Sequence, residues 1–151
     1  MQPIRTASGL LLALSLVLGA SVPAAPADQN PLNGRYRVVI TDADLRAGGV
    51  SVSHIRLNHG TFIWVLHNGR WRFGQHADNK VFTVPWAPYT ISRDRVTFVF
   101  RVPRAPGGAP PPLTFRWKLA GGQLRFTHVG GEDRLKIVPV LFTAHPWRKI
   151  G

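Results

Sequence analysis

Two dipeptides, Asn68-Gly69 and Gly121-Gly122, each sit at the centre of a stretch in which apolar and polar residues alternate on both sides. Alternation is the period of a β-strand, and Asn-Gly or Gly-Gly supplies the two positive-φ residues that a tight type I′ hairpin requires. Pairing then follows from the turns. Around Asn68-Gly69, His67 meets Arg70, Leu66 meets Trp71, Val65 meets Arg72, Trp64 meets Phe73 and Phe62 meets Gln75. Around Gly121-Gly122, Leu119 meets Leu124, Trp117 meets Phe126 and Phe115 meets His128. One face of each hairpin is therefore aromatic and the other carries Arg and Lys, the pattern of a sheet with a single buried face.

The rest of the chain speaks the same language. Arg35–Thr41 reads as a first strand, Val81–Val84 as another before Pro85, and Tyr89–Val102 as two strands around a polar turn at Ser92–Asp94. In the second of these, Val96, Phe98, Phe100 and Val102 face inward and Arg95, Thr97 and Arg101 outward. Leu135–Thr143 reads as a further strand, which Pro139 confines to an edge or a bulge. Thr41 with Asp44 forms a capping box and Gly48-Gly49 a stop, so a helix of about two turns follows the first strand. Ser51–Gly60 is a loop or a second short helical turn, and Arg104–Pro112, rich in Pro and Gly, is a loop between strands. The fold expected is all-β: an antiparallel up-and-down barrel of about eight strands with one short helix after the first. An open two-sheet sandwich is the alternative.

The chain of 151 residues has room for one such domain. Residues 1–27 read as a cleaved secretion signal, with Arg5, the apolar run Leu10–Ala20 and the small-x-small site Ala25-Pro26-Ala27. Residues 28–33 are then a tail and 34–151 the barrel. The apolar run is shorter than the roughly 20 residues of a membrane span, and no later segment is long enough. Cysteine is absent, which excludes disulfides, thiolate ligands, Cys nucleophiles and a lipid anchor on Cys. The expected product is an exported monomer held together by its core.

At residue level the chain resembles the calycin-like barrels, the lipocalins and fatty-acid-binding proteins. The resemblance rests on "NGRYRV", with Gly34-x-Tyr36 opening the first strand, on the meander of hairpins, and on "HPWRKI" with Arg148 near the end. It implies that Tyr36 stands where lipocalins carry a Trp, covered by Arg148, and that the helix caps the barrel mouth. The chain is also similar to small exported actinobacterial domains with "GTF…DGRW" and "FTAHPWR" stretches.

Such a barrel implies a small hydrophobic or amphipathic ligand held inside, touched by Tyr36, Phe62, Trp64, Trp71, Phe73, Phe98, Phe100, Phe115, Trp117 and Phe126. The same aromatics would equally fill a small barrel solid. Gln75 and His128 fall on the inner face by register, and each either orients a ligand or sits at a wet strand end. Haem or metal binding through His128 is a further alternative, although no His motif at ligand spacing is present and no resident cofactor is expected. No acid falls on an inward strand position and no nucleophile motif occurs, so catalysis is not expected. The net charge of +12 is spread over outward faces, away from the aromatics. That argues against a specific nucleic-acid site and leaves, as the other function class, a module drawn to an anionic cell envelope.

Overall fold

The computed structural model describes residues 30–101 and 110–151. The expected secretion signal, the inward Val102 and most of the Pro-Gly loop lie outside the described residues. Among the described residues nine strands are present, β1 (Gly34–Ile40), β2 (Gly60–His67), β3 (Arg70–Ala77), β4 (Lys80–Thr83), β5 (Ala87–Ser92), β6 (Arg95–Phe98), β7 (Leu113–Ala120), β8 (Gln123–Gly130) and β9 (Trp147–Lys149). Helices α1 (Asp42–Ala47) and α2 (Val52–Asn58) separate β1 from β2, and α3 (Ile137–Thr143) separates β8 from β9.

Every strand pairing is antiparallel. The sheet runs β2-β1-β9-β8-β7-β6-β5-β3, and pairing of β2 with β3 joins its two ends. The result is a closed eight-strand barrel, and the open sandwich is ruled out. Strand β4 lies outside this ring as an extension. It pairs with the C-terminal half of β3, Gly74 opposite Thr83, while β5 pairs with the start of β3, Trp71 opposite Ala87. The two are one strand interrupted at Pro85 and Trp86, where proline brings no N–H to the ladder. Val84 N–H still donates to the Phe73 carbonyl at 3.1 Å.

Both hairpins have the register that their turns dictate. His67 is opposite Arg70, Trp64 opposite Phe73 and Phe62 opposite Gln75; Leu119 is opposite Leu124, Trp117 opposite Phe126 and Phe115 opposite His128. Asn68 at φ 47° and Gly69 at φ 75° are both left-handed, as a type I′ turn demands. The turn is also fastened from outside, because Asn68 N–H donates to Asn33 Oδ1 at 2.8 Å and Asn33 Nδ2 donates to Asn68 Oδ1 at 3.0 Å.

The capping box at Thr41 and Asp44 is formed in both directions and starts α1. Ser51–Gly60, expected as a loop or a short helical turn, is helical over α2. Leu135–Thr143 departs from expectation, because this apolar run is a helix and not a strand. Asp133 supports the start of the helix: its carboxylate accepts the N–H of Leu135 in the preceding turn at 3.1 Å and that of Val138 in the first turn of α3 at 2.8 Å. Pro139 is the third residue of α3, where an N–H would have no partner within the helix, so it costs nothing there. The strand that closes the ring is instead β9, three residues long, lying between β8 and β1.

Tyr36 is fully buried, but Arg148 does not cover it. Arg148 is exposed on the outer face opposite Arg37, and the neighbouring Trp147 lies against Tyr36 with ring centres 6.4 Å apart. The Tyr36 hydroxyl donates to the Leu32 carbonyl at 3.1 Å, which seals the end of the barrel that carries the tight turns. All three helices gather at the other end, where β1 leaves and β9 enters. There α1 meets α3 so closely that a Cβ on Gly48 would collide with Val140 Cγ2.

A candidate binding site at the helical end of the barrel

The interior is built of rings. Trp64, Trp71, Phe98 and Phe115 are no more than 1% exposed, and Tyr36, Phe62, Phe100 and Phe126 are also buried. Phe73 and Trp117 pack against this core from half-buried positions. Thus the ten aromatics expected to face inward do so.

Two rings that sequence reasoning missed stand among them. Phe142, from the last turn of α3, is fully buried on the barrel axis, stacked on Phe115 at 4.5 Å and 4.9 Å from both Trp64 and Phe98. Trp147, from β9, stacks on Trp64 at 4.3 Å. Their elements make them central. The apolar side of α3, Ile137, Val140 and Leu141, faces the core, and its next residue, Phe142, reaches the axis. The wall thus supplies a ring of aromatics, and a helix outside the wall supplies the one that fills it.

Among the three fully buried tryptophans, hydrogen bonding is uneven. Trp71 Nε1 donates to the Val99 carbonyl at 3.1 Å and Trp147 Nε1 to the Leu141 carbonyl at 3.3 Å. Trp64 Nε1 is buried and has no acceptor among the described residues. An unmatched buried donor costs about 1–3 kcal/mol and marks a place where an acceptor would be gained. Tyr89 is also buried, and burial pushes its pKa up to about 12, against the pull of polar groups of Gly69 and Asn30 beside its hydroxyl.

The two polar residues on the inner face have different roles. Gln75 Nε2 donates to the carbonyls of Leu57 at 2.9 Å and His59 at 2.8 Å, so it ties the end of α2 to the barrel rim. His128 lies at the end of β8 and is exposed, its ring 5.3 Å from Phe115 and its Nε2 3.0 Å from the Gly130 carbonyl. It is therefore outside the interior, where a haem ligand was considered. Among the described residues no three His, Asp or Glu side chains are placed to hold a metal.

His128 instead lines a groove of about 560 Å³ between the end of α1, the β8–α3 connection and α3, together with Gly48, Arg134, Lys136, Pro139 and Val140. This volume is in the range of small-molecule sites. The groove runs beside the helix that delivers Phe142.

Around it, α1 is held by histidines from two other segments. His145 Nε2 is 3.0 Å from Asp44 Oδ2, and His59 Nδ1 is 2.9 Å from Asp42 Oδ1. Burial alone would raise the pKa of Asp44, but hydrogen bonds from the Thr41 N–H and hydroxyl, together with His145, hold it below the ordinary carboxylate value. Compared with protein-family models, curated proteins and solved structures, the chain matches none.

Proposed function

We propose that this is an exported binding protein, without catalytic activity, that takes a small hydrophobic or amphipathic molecule into the helical end of its barrel. The ligand replaces Phe142 on the axis and accepts a hydrogen bond from Trp64 Nε1. The observation that carries this reading is the juxtaposition of that unmatched buried donor with a ring belonging to a seven-residue helix rather than to the wall. Withdrawal of α3 breaks no rung of the barrel ladder. The groove beside it gives a polar group on the ligand a place among His128, Glu132, Asp133, Arg134 and Lys136.

Native mass spectrometry of the protein purified from its host, under gentle and then denaturing conditions, tests the proposal. The expected result is a mass excess that disappears on denaturation. A titration with 1-anilinonaphthalene-8-sulfonate in 0.5 M NaCl complements it, with Phe142→Ala expected to bind more tightly than the parent because the plug is gone. An empty protein, together with no saturable probe binding by either form, overturns the reading.

A further inference from the structure

No strand of the barrel contains an acidic residue. Among the described residues Asp42, Asp44, Asp78, Asp94, Glu132 and Asp133 all lie in turns, connections or the start of α1. The bases are distributed differently. Strand pairing sets Arg37 opposite Arg148, Lys118 opposite Arg125 and Arg95 opposite Arg116, three like-charge pairs in direct register. All six are exposed. Such pairs stand about 5 Å apart at the backbone and destabilise a sheet. Only Arg116 has an acidic partner among the described residues, Asp94 at 2.8 Å.

These pairs are also contiguous. Strands β1, β9, β8, β7 and β6 are consecutive neighbours in the ring, so the six cations form one track across five strands, roughly 19 Å at the usual strand spacing. Gln123, opposite Arg148, bridges the middle, accepting from Arg125 at 3.3 Å.

We propose that this track is a docking surface for a flexible linear polymer bearing repeated phosphate groups. Charge complementarity calls for a polyanion, and shape decides which kind. The wall of a barrel is convex, so side chains on five successive strands diverge. A flat bilayer meets few of them at once, whereas a flexible chain follows the curve. Phosphate is favoured over carboxylate because its oxygens surround a tetrahedral centre and can face two guanidinium groups together, as Arg37–Arg148 and Arg95–Arg116 offer them, while carboxylate oxygens share one plane. The track contains no aromatic residue, so recognition is by charge without base stacking. This inference is independent of the interior site.

The test is binding of inorganic polyphosphate in 100 mM NaCl by the parent protein, by Arg125→Gln/Arg148→Gln, and by Arg70→Gln/Arg72→Gln on β3 across the barrel. Both double variants lose the same charge. The track variant is expected to lose roughly tenfold in affinity and the β3 variant less than about threefold, with parental binding weakening steeply as salt rises. The track variant is also expected to melt no lower than the parent in low salt, since repulsion is relieved. Should it fold poorly, Arg37→Gln/Lys118→Gln reads the same track. Equal losses in the two variants would reduce the effect to net charge and overturn the proposal. So would equal affinity for poly-glutamate, or equal and equally variant-sensitive affinity for vesicles of anionic phospholipid.

Discussion

Phe142 and Phe115 lie face to face, ring centres 4.5 Å apart and planes within 9° of parallel, although one comes from a capping helix and the other from the barrel wall. The contact fastens α3 to the interior. Phe142→Ala is therefore expected to cost about 3–5 kcal/mol, the usual penalty for emptying a buried aromatic site. Urea denaturation followed by tryptophan fluorescence measures it, and a loss below about 1 kcal/mol would mean that the helix end is loosely held.

Gln75 acts through its amide and not through its size. Replacing it with Leu keeps the volume but leaves the carbonyls of Leu57 and His59 without their donor, at a cost of about 1–2 kcal/mol. Hydrogen exchange should show faster opening of α2 and little change in β7 and β8. Uniform acceleration across the barrel would contradict a local tie.

Asp133 and Pro139 are opposite cases within one helix. Asp133→Ala removes the acceptor for one N–H in the turn before α3 and one in its first turn, and should cost about 1 kcal/mol or more. Pro139→Ala should change stability by less than about 1 kcal/mol, because no hydrogen bond is missing at that position. Paired denaturation curves decide this, and a large loss from Pro139→Ala would place the capping elsewhere.

The only two tyrosines, Tyr36 and Tyr89, are both buried, and burial raises both pKa values, that of Tyr89 to about 12. The unfolded chain releases these protons near pH 10. Because the folded values are higher, the associated stability is intact below pH 10 and is lost as pH rises toward 12. Absorbance of tyrosinate should stay flat through pH 10 and then rise together with loss of near-ultraviolet circular dichroism. A normal titration near pH 10 in the folded protein would show that the two rings are wet.

Much of this architecture is legible in the sequence because turn chemistry fixes register without reference to the rest of the fold. Asn68-Gly69 and Gly121-Gly122 place Trp64 against Phe73 and Trp117 against Phe126 correctly, and a period of two then assigns each neighbour to a face. The α3 segment is not legible in this way. A run such as Ile-Val-Pro-Val-Leu-Phe is apolar whatever its period, so strand and buried helix look alike, and the evidence lies upstream in the cap at Asp133. That misreading hid Phe142, and with it the filling of the interior. Gln75 shows a subtler limit: alternation places it on the inner face, but only the path of α2 reveals which carbonyls it serves. His128 likewise has the expected register, and exposure at a strand end follows from where β8 stops.

Strand β9 touches β8 through Gln123 and Leu124 and touches β1 through Tyr36 and Arg37, and Ile150 and Gly151 extend the seam through backbone hydrogen bonds with Arg35, so β1 and β8 are joined through the short segment 147–151. Trp147, inside that short strand, also hydrogen-bonds the helix that carries Phe142. Folding kinetics inherit this arrangement. Hairpins can form early from local contacts, but the circle is completed by its most distant pairing, whose loop-closure entropy must be overcome before the contact returns anything. Seating of this small latch is thus the step expected to be slow, and comparison of the parent with Trp147→Phe would show which part of the tryptophan fluorescence change reports it.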